Sequence, residues 1–145
     1  MLDLFQNKKE ISIIIPHYNS PKKLRRLLNT IPKEDEIQII VVDDLSNKNI
    51  EIYEQVKNEF SDYVEFYDNE MNNKSAGGAR NLGLEKAKGK WLLFADADDY
   101  FLKEWWLSVK KYLSNDADIV LTHFANYISQ LNREKKSFDK AYYNR

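Results

Sequence analysis

The chain has 145 residues, with 22 Lys and Arg against 23 Asp and Glu, a formal net charge of -1; it is long enough for one compact domain and shows no basic surplus of the kind nucleic-acid binders carry. It contains no cysteine, which excludes disulfides and thiolate metal sites and suits a reducing cytoplasm. No apolar run approaches the ~20 residues of a membrane helix, and Met1 to Glu10 lacks the apolar stretch of a signal peptide, so the expectation is a soluble cytoplasmic protein.

Ile11 to Ile15 is a β-branched run that Pro16 should stop, and it reads as a buried strand. Ser20 before Pro21 suits a helix start. Leu24, Leu27, Leu28 and Ile31 then follow at helical spacing to about Thr30. Ile37 to Val42 is a second strand ending in Asp43-Asp44. Ile52, Tyr53, Val56 and Phe60 mark one face of a second helix, and Val64 to Tyr67 a third strand. After the polar loop Asp68 to Lys74, Ser75 caps a third helix through Ala79, Leu82 and Ala87, closed by Gly89. Trp91 to Ala95 is a fourth strand running into Asp96-Ala97-Asp98-Asp99. Leu102, Trp105, Trp106, Val109 and Leu113 predict a fourth helix, and Ile119 to Thr122 a fifth strand. From Gln130 the pattern decays into a charged tail with five Lys/Arg and two Asp/Glu, a local surplus of +3.

Strands alternating with amphipathic helices predict an α/β/α sandwich around a mostly parallel sheet. Ligands bind such sheets beyond the carboxyl ends of the strands. The chemically informative residues fall there. Asp96 and Asp98 follow an apolar strand, and strand alternation would put both carboxylates on one side of the chain. Close carboxylates repel unless a cation lies between them, and a hard ion such as Mg²⁺ or Mn²⁺ takes oxygen ligands and can bridge to a diphosphate. Taken alone, such a pair is more often a solvated acidic turn in which Asp99 caps the next helix; the strand before it and the second acidic pair at Asp43-Asp44 favour the metal. One carboxylate of Asp43-Asp44 is placed to accept the imide N–H of a uracil ring, with a helix cap as the plainer alternative. Tyr18 offers an aromatic face for a base or for simple packing; His17 receives no role, and His123 reads weakly as a metal ligand. Gly77 and Gly78 open the third helix, where free N–H groups suit phosphate and glycines permit close approach. Arg80 adds a forked donor to phosphate oxygens.

Four segments, Ile11–Ser20 (ISIIIPHYNS), Ile39–Ser46 (IIVVDDLS), Gly77–Gly83 (GGARNLG) and Lys88–Asp99 (KGKWLLFADADD), together resemble the GT-A-fold glycosyltransferases of family 2, in that family's order and spacing over Ile11 to about Thr122. The resemblance implies an inverting transfer of sugar from a nucleoside-diphosphate donor, most often UDP-linked, to a glycan or lipid-linked acceptor, with Mg²⁺ or Mn²⁺ as cofactor. It implies that Pro16, Tyr18, Asp44, Arg80 and Asp96 form the nucleotide site, that Gly77 and Gly78 border the phosphates, and that Asp96 and Asp98 hold the metal. It also implies a general base in a second half that carries the acceptor site, and this chain is short for the family. Residues 1–145 are therefore expected to be one donor-binding domain without the acceptor part; Glu134 and Asp139 in the tail read as solvated groups.

The alternative is a non-catalytic nucleotide-sugar-binding module or a truncated fragment. Apolar surface left by a missing half would favour self-association, and the basic tail leaves peripheral membrane docking open. A dinucleotide binder or a nucleotidyltransferase would need a Gly-rich turn where Pro16-His17-Tyr18-Asn19 stands. A receiver domain would need its acidic pair after the first strand.

Overall fold

The computed structural model describes residues 8–70, 74–114 and 118–120. In chain order its elements are β1 (Ile11–His17), α1 (Pro21–Leu28), β2 (Ile37–Asp43), α2 (Ile50–Phe60), β3 (Val64–Asp68), α3 (Ala76–Lys86), β4 (Trp91–Phe94) and α4 (Trp105–Lys110). The four strands form one parallel sheet in the order β3-β2-β1-β4. The chain divides into two compact units, Met1–Trp106 and Leu107–Arg145. The first holds the whole sheet and α1 to α3. In the second, the described residues include buried Val109 and Leu113.

β1 and β2 are central and covered on both faces, and their sequences show it. Every residue of β2 is buried, and every residue of β1 except Pro16, as parallel strands clothed by helices require. α1 turns Leu24, Leu27 and Leu28 inward, and α2 turns Tyr53, Val56 and Phe60 inward. The order β1, β2, β3 advances in one direction, so right-handed crossovers put α1 and α2, which pack together, on one face. The return from β3 to β4 puts α3 on the other, over Ile14, Ile40 and Val42. Gly83 of α3 lies so close to β1 that a Cβ there would stand 2.3 Å from Ile14 Cγ2.

Several boundaries differ from the sequence-based expectation. Pro16 does not end β1. Ile14 O accepts from Ala95 on the β4 side, whereas His17 O accepts from Asp44 on the β2 side. The nitrogen of Pro16 therefore faces β4, where the next ladder bond would run to the Ala95 carbonyl, so the proline ends pairing on the β4 side after Phe94 while pairing with β2 continues through His17. α1 stops at Leu28 rather than Thr30. Leu102 precedes α4 and is 65% exposed, so it is no part of a buried helical face. Gly89 is not the helix cap, which is Ala87; its lack of a Cβ lets the chain pass 2.5 Å (Cβ position to Ser12 N) from β1 as it enters β4. Ile119 and Val120 are not in a strand; Leu121, Thr122, His123 and the tail with Glu134 and Asp139 lie outside the described residues.

The reversal of strand order beside β1 matters most for function. β1 is followed by a connection to β2 on one side, while β4 arrives on the other. The switch point between β1 and β4 therefore lies at the carboxyl edge of the sheet, where open α/β sheets bind ligands.

Candidate functional site

The carboxyl edge carries the turns after β1, β2 and β4 and the start of α3. His17 and Asp43 end their strands as register partners. Both are buried, and His17 Nδ1 lies 2.7 Å from Asp43 Oδ1. His17 Nε2 accepts from the Ser20 N–H at 3.2 Å, so Nδ1 carries the proton and donates to Asp43. The His17 ring also stacks on Tyr53 at 4.7 Å. Asp43 receives two further bonds from Ser46, one from the hydroxyl (2.6 Å) and one from the N–H (2.7 Å). Burial pushes the Asp43 carboxyl up, but the hydrogen bonds from His17 and Ser46 outweigh it and hold the group below its ordinary value.

Asp44, also buried, faces the other way, toward α3. Its Oδ1 accepts from Asn69 Nδ2 (2.8 Å) and from the Ser75 N–H (3.1 Å). Ser75 caps α3 as expected, its hydroxyl accepting from the Gly78 N–H at 3.0 Å. Among the described residues, an added Cβ at Gly77 would meet Ser75 Oγ at 3.7 Å, an ordinary contact. Tyr18 is 47% exposed beside this corner, with Lys74 Nζ 4.8 Å from its ring centre. Lys74 also reaches the Leu45 carbonyl.

On the β4 side of this edge, the strand ends at Phe94 and Asp96 to Asp99 form a turn closed by an Asp99 N–H to Asp96 O bond of 2.9 Å. Ala95 and Ala97 are buried while Asp96 and Asp98 are exposed. Both carboxylates are thus open to solvent, although a turn and not a strand places them. Arg80, from the first turns of α3, bonds Asp96 Oδ1 at 2.6 Å. Lys23 of α1 reaches Asp98 Oδ2 at 3.4 Å, and Arg26 donates to the Asp98 carbonyl. Such exposed pairs are weak, about 0–1 kcal/mol, and exchange readily. Oxygen donors on an open turn fit a hard divalent cation. No group of three His, Cys, Asp or Glu that could hold a metal is assembled among the described residues. A cation on Asp96 and Asp98 would therefore take its other oxygens from a ligand and water.

The structure thus brings Tyr18 beside Lys74, ties Asp44 to the start of α3, and pairs Arg80 with Asp96. Pro16 lies in the strand just below Tyr18. His17, Lys74, Lys23 and Arg26 belong to this edge and escape a motif-based reading. His17 had one signal: two equal-length strands in parallel register bring a His and an Asp level at their ends. Lys74, Lys23 and Arg26 are lysines and arginines on exposed elements, with no pattern to separate them from solvated charge. A cavity of about 210 Å³ lies at the opposite edge of the sheet, lined in part by Lys9, Lys33, Asp35, Asp62 and Tyr63, and contains none of these residues.

The family described as glycosyl transferase family 2 matches residues 12–144. The chain is 37% identical over 100 residues to the poly(ribitol-phosphate) beta-N-acetylglucosaminyltransferase TarS of Staphylococcus aureus, a match covering 66% of this chain and 17% of that protein. It is 36% identical over 121 residues to a poly(ribitol-phosphate) beta-glucosyltransferase of Bacillus spizizenii, covering 77% and 18%. It superposes on the crystal structure of S. aureus TarS 1-349 in complex with UDP with a TM-score of 0.59 and 28% identity, over 85% of this chain and 42% of that one. The chain thus spans less than a fifth of the length of these two curated relatives. The architecture is that of the GT-A fold. Among the described residues no helix is long and apolar enough to cross a membrane.

Proposed function

The chain belongs to glycosyl transferase family 2, and on that premise we propose that its first compact unit binds a nucleoside-diphosphate sugar, with UDP as the nucleotide, across the carboxyl edge of the sheet. Asp44 accepts the uracil imide N–H; both of its described bonds go to Oδ1, so the base would meet Oδ2. Tyr18 and Pro16 border the base. The start of α3, with Gly77, Gly78 and Arg80, takes the diphosphate, since free helix N–H groups and a guanidinium both favour phosphate oxygens. Asp96 and Asp98 would hold Mg²⁺ or Mn²⁺, whose positive charge would offset the negative charge of the diphosphate leaving group. The protein containing this unit transfers the sugar with inversion to a glycan or lipid-linked acceptor. An anionic polyol phosphate polymer is the acceptor class that the named relatives support.

The observation that carries the reading is the meeting of Arg80 and Asp96 from two separate elements at the switch point of the sheet. Each neutralises the other here; Asp96 is placed so that it could hold a cation, and Arg80 so that it could hold a phosphate. The test is calorimetry of UDP with the chain in Mn²⁺ and in chelator. Binding at least tenfold tighter with Mn²⁺, and lost in Asp98→Ala, is expected for a bridging cation. Equal affinity in both buffers would refute the metal role.

A further inference from the structure

The hydrogen bonds at the ends of β1 and β2 close a circuit that the proposed nucleotide site does not itself use. His17 donates to Asp43, Asp43 accepts from the Ser46 hydroxyl, and that hydroxyl accepts from the Asn19 N–H at 2.8 Å. His17 Nε2 returns to the same turn through the Ser20 N–H. The Asn19 side chain adds a second link between the turns, its Oδ1 accepting from the Asn47 and Lys48 N–H groups at 2.8 and 2.9 Å. Each linked turn contains a non-glycine residue at positive φ, Asn19 at 52° and Leu45 at 57°. A leucine there is unfavourable and persists only where its surroundings hold it. Those two residues directly follow Tyr18 and Asp44. The circuit therefore fixes the backbone from which the proposed stacking ring and the proposed imide acceptor both project.

We propose that His17 is a positioning residue for nucleobase recognition, acting through Asp43 and Ser46 to hold Tyr18 and Asp44 in register across the base slot. The inference rests on the reading of Tyr18 and Asp44 given above. His17 is 1% exposed and touches no ligand; its function is to present one donor and one acceptor from a single flat ring. Its stack on Tyr53 fixes the plane of that ring. The ordinary requirement of a buried core position would be met by a leucine, which has neither a donor nor an acceptor.

The test uses the full chain and two ligands, UDP and inorganic pyrophosphate, each titrated calorimetrically in Mn²⁺, with a melting curve for every variant. His17→Leu and Ser46→Ala should each weaken UDP about tenfold, the scale of losing one buried hydrogen bond, and leave pyrophosphate within about twofold. His17→Asn, which keeps a donor toward Asp43, should recover part of the UDP affinity that His17→Leu loses. If His17→Leu does not fold, Ser46→Ala carries the test, since it removes two links of the circuit from a half-buried turn. Unchanged UDP affinity in folded variants would overturn the proposal, as would equal losses for UDP and pyrophosphate. If the unaltered chain binds pyrophosphate but not UDP, the base-pocket reading fails first and this inference with it.

Discussion

Asp44→Asn separates base recognition from loop architecture more cleanly than a truncation does. Asp44 Oδ1 accepts from Asn69 and from the Ser75 backbone. An asparagine keeps that oxygen and both bonds, so the start of α3 should stay in place. The second oxygen becomes an NH₂ group, which can only donate. Against the N3–H of uracil, a donor then meets a donor. The lost charge-assisted bond and the new clash together weaken UDP by about 1–3 kcal/mol, or roughly five- to a hundredfold. Cytosine has an unprotonated N3 that accepts, so CDP should lose less or gain. Titrating UDP, CDP and pyrophosphate with Mn²⁺ gives the answer as a ratio within one variant, independent of overall stability. Equal weakening of all three ligands would refute the reasoning and reduce Asp44 to a loop former. An unchanged UDP:CDP ratio would refute it equally.

Two further outcomes test the scaffold. Gly83→Ala places a methyl 2.3 Å from Ile14 Cγ2 on a central strand; overpacking costs about 1–3 kcal/mol, against up to ~1 returned by the better helix former. Each net kcal/mol should lower the melting temperature by about 2–4 °C at this chain length, and a rise would show that α3 is not pinned to β1. The second outcome concerns acid. Asp43 is held below its ordinary value of 3.8, so the folded state favours its charged form. The resulting stability is complete above about pH 4 and is lost as pH falls through the lower, folded value. Asp43→Asn should be less stable than the unaltered chain at pH 6 and should lose less between pH 5 and pH 3. Parallel melting curves across that range would exclude Asp43 as a source of acid sensitivity.

The sheet was legible because its strands are buried on both faces. Ile11 to Ile15 and Ile37 to Val42 have one physical explanation each, and alternation with the faces of α1 and α2 leaves few topologies. The cap at Ser75 was legible for a similar reason, since it is a local interaction between neighbours in sequence. The extension of β1 through Pro16 was not, because proline's effect depends on which neighbour its nitrogen faces. The role of Gly89 depends likewise on the approach of Ser12, distant in the chain. His17 was passed over for the same reason: its partner Asp43 is 26 positions away, and only the register of two strands makes them adjacent. Leu102 misled in the opposite way. It continues the spacing of Trp105 and Trp106 but sits before the helix begins, 65% exposed.

The two sides of the carboxyl edge are built differently, and on the proposed reading the difference has a mechanistic consequence. On the base side, His17, Asp43 and Asp44 are each no more than 7% exposed and are bonded to fixed neighbours. On the proposed diphosphate side, the Asp96 and Asp98 side chains are each 59% exposed and, among the described residues, are held by surface ion pairs. A rigid, desolvated acceptor discriminates well, because a wrong base leaves buried polar groups unpaired. A loose acidic turn cannot discriminate in that way, but it can exchange partners at little cost. On that reading nucleotide identity would be set by a site formed before binding, while a cation at Asp96 and Asp98 would need oxygens from the ligand to complete its shell.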